Sequence, residues 1–348
     1  MRTTWIFVGL TAVVTVAAGA AHYGHATSGL TFALSTFALA GLAWIVSFST
    51  EQVGERFGPA VTGVMQSTLG NLPEFFVVVF ALSQGELVVA QTSIIGSVFA
   101  NALLVLGLVI IAGCSASPGG LMRFSVRLPK DNAILLMLAS FLIVILGISV
   151  AENDRASHHI EAISIAGAVA LLLTYLVWLV DYLRSDHPGE PSHGEPVLPL
   201  PGALVLLAIA GVGAAFVSDW FVTALSPTMN RLGIPKAFAG LVIVAIAGNA
   251  VENVVGLVLA RKGEADLAIS VVKNSVAQIT AFLFPALVLV SLLFTTHLTF
   301  QLEPVFIGAL LLTSLALWFI TSDGEATMFE GVALISLYTI LAVVTFYE

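Results

Sequence analysis

A glutamate inside a long apolar run occurs twice in this chain, 178 residues apart, each time behind the same glycine and asparagine. The first copy reads Gly70-Asn71-Leu72-Pro73-Glu74 and the second Gly248-Asn249-Ala250-Val251-Glu252. The same offset relates Val77 to Val255, Gly85-Glu86 to Gly263-Glu264, and Ser97 to Ser275. A carboxylate within a membrane span is costly and marks a functional position. Two of them at equivalent places in two repeats point to one site shared by two half-molecules.

The surrounding composition says what kind of chain this is. Of its 348 residues 58% are hydrophobic and 9% charged, and the mean hydropathy is +1.04. Such a chain is an all-α polytopic membrane protein, with runs of about 20 apolar residues that cross a bilayer as helices. Eleven spans are expected, near 4–20, 30–50, 59–83, 88–113, 131–150, 160–181, 200–223, 234–260, 266–294, 304–321 and 327–347. The first has a signal-peptide alternative, because Ala17-Ala18-Gly19-Ala20-Ala21 follows a short apolar core. The single cysteine, Cys114, excludes an intramolecular disulfide and thiolate clusters. The net charge of −9 argues against nucleic acid as a partner.

Lys and Arg in the loops set the orientation. Arg2, Arg56, Arg123, Arg127, Lys130, Arg184, Arg261 and Lys262 fall on one side, and Arg155, Arg231 and Lys236 on the other. The richer side is expected to be cytoplasmic, with the N-terminus inside and the C-terminus outside. Residues 1–29 form an extra N-terminal helix, 30–182 a five-helix repeat, 183–200 a cytoplasmic linker and 201–348 a second five-helix repeat. Five spans is an odd number, so the second repeat enters the membrane inverted, as in many secondary transporters. The linker is polar and rich in Pro and Gly, and its His187 and His193 read as solvated rather than metal-binding.

Asn and Glu at i and i+3 share a helix face. The preceding glycine permits a helix break or a close approach, and Pro73 is expected to free a backbone carbonyl. Two such copies, head to head, offer two carboxylates and two amide oxygens. An all-oxygen set suits Ca²⁺, whereas Mg²⁺ dehydrates reluctantly. Without histidine or cysteine in either motif, softer metals are disfavoured. When the cation leaves, two close carboxylates in a low dielectric bind protons as a coupled unit. Competition between protons and a divalent cation for the same oxygens is the requirement of an antiporter. The alternative reading is a buried Asn–Glu pair holding helices together.

These residues resemble the calcium/proton exchanger (CAX) family of the calcium/cation antiporters. The resemblance is carried by Gly58-Pro59, Gly70-Asn71-Leu72-Pro73-Glu74, Gln91-Thr92-Ser93, Gly96-Ser97 and Asn101 through Gly107 in the first repeat, and by Gly240 through Glu252, Lys262, Asp266-Leu267-Ala268 and Gln278 in the second. Sodium/calcium exchangers usually carry Gly-Thr-Ser in place of Gly-Asn, which favours the proton-coupled branch. The resemblance implies eleven helices, and Glu74 and Glu252 binding Ca²⁺ and protons in turn, with Asn71 and Asn249 as neighbours. Gly70, Gly248, Gln91, Ser97, Asn101, Ser275 and Gln278 would line the site, with interhelical hydrogen bonding as the other reading of the polar ones. Glu51, Glu55 and Asp219 would be cation funnels or ordinary interfacial charges.

The chain departs from the family pattern at Glu252-Asn253, where the family usually has Glu-His, and at Asn274-Ser275-Val276, where it usually has Gly-Ser-Ser. Lys273 is an unexpected cation in the ninth span, expected either to snorkel along its own helix to the cytoplasmic surface or to reach the site as a fixed charge. The expected function is export of cytosolic Ca²⁺ in exchange for H⁺ by alternating access. The alternatives are the same fold exchanging Na⁺, K⁺ or Mn²⁺, and a passive cation channel. No nucleophile–base constellation suggests an enzyme. Beyond the transported ions no cofactor is expected. The lipid bilayer is the expected surrounding, a prokaryotic plasma membrane by its short loops, and nothing indicates an oligomer.

Overall fold

The computed structural model describes residues 2–54, 56, 65, 68–125, 127–184 and 197–348. Its helices are α1 (Arg2–Tyr23), α2 (Ser28–Gly54), α3 (Leu72–Ser83), α4 (Leu87–Ala116), α5 (Arg127–Glu152) and α6 (Ile160–Arg184), then α7 (Leu200–Leu232), α8 (Lys236–Gly248), α9 (Ala250–Arg261), α10 (Ala265–Ser291), α11 (Pro304–Thr321) and α12 (Met328–Tyr347). Two short strands, β1 (Leu121–Arg123) and β2 (Glu325–Thr327), pair antiparallel. Among the described residues nine helices are long and apolar enough to cross a membrane, and the chain is an integral membrane protein.

The eighth expected span is not continuous. It stops at Gly248, and a new helix starts at Ala250, with Asn249 between them at φ −94°, ψ 16°. In the first repeat Asn71 likewise precedes α3 at φ −85°, ψ 8°. Pro73 sits in the first turn of α3, where its missing N–H would have no intrahelical partner in any case. It therefore stands at the start of the half-helix. The linker expected at 183–200 lies mostly outside the described residues, and so does Glu55.

The repeats match at the level of backbone. Gly85 and Gly263 end α3 and α9 at φ 75° and φ 81°, a left-handed cap that glycine adopts without steric cost. In both copies the next glutamate N–H reaches back to a carbonyl five residues earlier, Glu86 to Ala81 and Glu264 to Leu259. Then α4 and α10 each carry a π-helical turn, Ala100–Val105 and Ile279–Leu283, at corresponding places. These two helices are the best-covered spans, 83% and 72% buried, and form the centre of the molecule.

Packing exchanges elements between the halves. Helix α2 lies along α7, α5 against α11, and α4 against α8. The end of α4 meets α12 while the end of α10 meets α6. The crossing of α4 and α8 is close because both contribute glycine. A Cβ on Gly96 would fall 2.5 Å from Leu241 Cα, and one on Gly240 would meet Thr92 Oγ1 and the Ser93 backbone. Helix α1 packs on α2 and α7, with Gly19 against Trp220.

Loop contacts agree with the expected alternation of sides. On one face β1 joins β2, with Arg123 paired to Glu325 at 3.1 Å. On that face the Ser125 N–H also donates to Asp266, and Gln52 Oε1 accepts from Val197 and Leu198. On the other, Lys236 pairs with Glu86 at 2.7 Å, Ser226 donates to the same carboxylate, and His297 meets Glu161 at 3.1 Å. Each contact joins loops assigned to the same side by counting spans.

Two expectations follow from these contacts. Gly96→Val forces side-chain atoms into the backbone of α8, and overpacking of this kind costs about 1–3 kcal/mol. The detergent-solubilised variant should melt about 3–10 °C below the parent or fail to fold, whereas Gly9→Ala, which has open space around it, should melt as the parent does. At Glu86 burial pushes the carboxyl up, but hydrogen bonds from Lys236 and Ser226, with the charge of Lys236, outweigh it and hold the group below its ordinary value of 4.5. Its stabilisation is therefore present above that value and lost as pH falls through the lower folded one. The stability difference between the parent and Glu86→Gln should be present at neutral pH and shrink as the pH is taken well below 4.5, measured as melting temperature against pH.

Candidate functional site

Both motif glutamates occupy the first turn of a half-helix, Glu74 in α3 and Glu252 in α9. The unsatisfied N–H groups and positive dipole end of a helix start favour a negative charge there, while burial opposes it. The breaks at Asn71 and Asn249 create these helix starts within the membrane span, the device by which discontinuous helices build ion sites.

The described side chains form one hydrogen-bonded cluster drawn from both repeats. Glu74 Oε1 accepts from Ser97 Oγ at 2.6 Å and from Asn249 Nδ2. Asn249 Nδ2 also lies 2.8 Å from Ser97 Oγ and from the Ala245 carbonyl oxygen. Asn101 Nδ2 donates to Asn249 Oδ1 at 2.6 Å and to Ser275 Oγ at 3.0 Å. Glu74, Asn249, Ser97, Asn101 and Ser275 are all buried. Gly248 packs on the carboxylate, since a Cβ there would lie 2.9 Å from Glu74 Cγ and 3.0 Å from Oε1. Any side chain at 248 would displace the glutamate.

This geometry refines the sequence reading. Asn249 presents its N–H, not its oxygen, to Glu74, and its oxygen is engaged by Asn101. The amide therefore acts as an anchor for the carboxylate in this conformation. Asn101 Oδ1 is fully buried and has no hydrogen-bond partner among the described residues. Its equivalent in the second repeat is Ile279, so the cluster is asymmetric. A void of about 10 Å³ adjoins Glu74, walled by Leu39 of α2, Ile94, Ser93 and Leu283. That is near the minimum for one water and too small for a hydrated cation. Asn71 and Gly70 lie at the first break as expected, Asn71 buried. The side chain of Glu252 lies outside the described residues.

Other expected lining residues are elsewhere. Gln91 sits about one turn into α4 and donates to the Gln301 carbonyl at 2.9 Å, securing the approach to α11. Gln278 is buried one turn beyond Ser275 but makes no hydrogen bond to the cluster among the described residues. Asp219 accepts from Gln84 at 3.2 Å and ties α7 to the end of α3. Glu51 is half-buried at the end of α2. Lys273 is not in the cluster: its ammonium donates to Thr321 at the end of α11. Its partner lies at the β-ribbon end of α11, not among the cluster around Glu74. Ser93 was missed as a wall of the void, although it stands in the quoted Gln91-Thr92-Ser93 run; its helical spacing from Ser97 was the available signal.

Comparison with known proteins places this architecture. The family model described as sodium/calcium exchanger protein matches residues 27–181 and 202–347. The vacuolar calcium ion transporter of Schizosaccharomyces pombe is 31% identical over 326 residues, covering 91% of this chain and 79% of that protein. The Ca²⁺/H⁺ antiporter ChaA of Bacillus subtilis is 28% identical over 330 residues, covering 92% of each. A solved structure of native YfkE superposes with a TM-score of 0.84 at 26% identity, over 98% of this chain and all of that one. With matching backbone in two halves, helices that start behind Gly-Asn and a family model matched along both halves, the chain is a member of the sodium/calcium exchanger protein family.

Proposed function

We propose that this protein is a secondary active antiporter that exports cytosolic Ca²⁺ in exchange for H⁺. The observation that carries the proposal is the buried Glu74 carboxylate at a half-helix start, held by Asn249 of the opposite repeat. The relatives named as a calcium ion transporter and a Ca²⁺/H⁺ antiporter support the choice of ions. Membership of an exchanger family supports transport rather than enzymatic chemistry.

Glu74 and Glu252 together take either the divalent cation or protons. Neutralising a pair of carboxylates in a low dielectric is what permits the loaded site to change its exposure. For Ca²⁺ to bind, Glu74 exchanges the N–H of Asn249 for the cation. A rotation of the Asn249 amide then turns its oxygen inward, and Asn101 Oδ1 supplies a further oxygen. Asn71, Ser97 and Ser275 complete an all-oxygen shell of the kind Ca²⁺ accepts. Apolar Leu39 and Ile94 keep the site closed until α2 and α7 shift against α4 and α10. Alternating access through that shift, with one repeat inverted on the other, follows the general logic of such folds.

Residues 30–182 and 201–348 act as the two repeats, 1–29 as an added helix and 183–200 as a cytoplasmic linker. The excess of Lys and Arg on the face of the β1–β2 ribbon supports a cytoplasmic assignment for that face. The N-terminus is then inside, the C-terminus outside, and a prokaryotic plasma membrane is the site of action.

Purified protein in liposomes with a trapped pH dye should acidify or alkalinise the lumen when a Ca²⁺ gradient is imposed. Glu74→Gln and Glu252→Gln should each abolish this flux; coupled exchange in either variant would refute the mechanism. Equal flux with Na⁺, K⁺ or Mn²⁺ in place of Ca²⁺ would assign the cation differently. Asn101→Leu, which removes one oxygen and the anchor on Asn249, should raise the KM for Ca²⁺ about 10-fold to 100-fold, the range seen when a supporting group of a metal site is lost. In the parent, the apparent affinity for Ca²⁺ should weaken as pH falls, read by uptake of radioactive calcium from pH 8 to 6.

A further inference from the structure

An apolar groove of about 660 Å³ runs between α5 and α11, with α10 as its floor. Met137 and Phe141 of α5 and Leu315 and Trp318 of α11 line it and stand largely exposed, so it opens toward the acyl chains of the membrane. Its polar end is made by Lys273 of α10 and Thr321 of α11. Lys273 is buried, and its ammonium donates to Thr321 Oγ1. That hydroxyl in turn donates to the Leu317 carbonyl at 2.6 Å.

An ammonium has three donors, and among the described residues one protein acceptor, Thr321 Oγ1, holds it. Among the described residues no carboxylate lies within ion-pair distance of Lys273. A buried ammonium in a membrane span keeps its charge only where a counter-charge stabilises it. The groove has the shape to bring one in. Thr321 ends α11 at the β-ribbon face, and the lining of α11 extends back to Leu311, about 15 Å toward mid-membrane at the helical rise. The lining of α5, from Ile134 to Ile145, runs a similar length. The cation therefore sits where a headgroup of one leaflet would lie, and the apolar walls extend where its acyl chain would lie.

We propose that this groove is a binding site for an anionic phospholipid, with the phosphate on the Lys273 ammonium and one acyl chain between α5 and α11. A net-negative lipid is selected over a zwitterionic one because no carboxylate among the described residues pairs with the Lys273 ammonium. The bound lipid touches α5 of the first repeat and α10 and α11 of the second, so it bridges the halves. The assignment does not depend on which ions are exchanged.

The test is native mass spectrometry of the delipidated full-length protein, titrated with phosphatidylglycerol or phosphatidylcholine of the same acyl chains. The parent should retain one phosphatidylglycerol with at least tenfold preference over phosphatidylcholine. Lys273→Met should reduce that preference to less than threefold, and Lys273→Arg should keep it. Leu315→Trp, which fills the groove and leaves the cation in place, should lose the bound phosphatidylglycerol. Equal binding of the two lipids by the parent would overturn the proposal, as would undiminished preference in Lys273→Met. Retention by Leu315→Trp would do the same even if Lys273→Met failed to fold.

Discussion

A carboxylate buried in a membrane protein must be held by donors that replace water, and the architecture around Glu74 is organised to supply them. Two side-chain donors, Ser97 Oγ and Asn249 Nδ2, converge on one oxygen, and the carboxylate lies in the first turn of α3. Charge-assisted bonds of this type are roughly twice as strong as neutral ones. The donors come from different repeats, so the two halves must remain in contact for the group to stay solvated by protein. Asn101 and Ser275 extend the same network to α4 and α10, the two most enclosed helices.

The broken helices explain why so few polar residues suffice. A continuous helix would consume its own N–H groups; a break at Asn71 or Asn249 leaves them available inside the span. Close crossing of α4 and α8 at Gly96 and Gly240 then brings the second repeat's break onto the first repeat's carboxylate. Exchange of packing partners between the halves, α4 with α12 and α10 with α6, ties these local features into one body. The same interlocking makes a shift of α2 and α7 felt at the void beside Glu74, because Leu39 is one of its walls.

The repeats share a backbone but not a chemistry. Asn101 corresponds to Ile279, and Lys273 to Ile95. The first replacement places the additional amide on one side of the shared site only. The second puts a cation at the edge of a lipid-facing groove that has no charged counterpart at Ile95. The two halves of the molecule therefore differ in chemistry where they agree in backbone.

Much of this was legible in the chain before any coordinates. The apolar runs and the repeated Gly-Asn-x-x-Glu determined a helical membrane protein of two related halves and pointed to Glu74 and Asn249, because a polar residue within such a run is conspicuous against its background; Ser97 came through the family resemblance. The sides of the loops were readable too, since crossing helices must alternate. What only the tertiary structure decided was direction and distance: that Asn249 offers its N–H to Glu74, that Asn101 reaches across to the second repeat, that Gln91 turns to Gln301 instead, and that Lys273 meets Thr321. Periodicity places a residue on a helix face, but which helix lies opposite that face is set by packing between segments more than a hundred residues apart, and no local pattern encodes it.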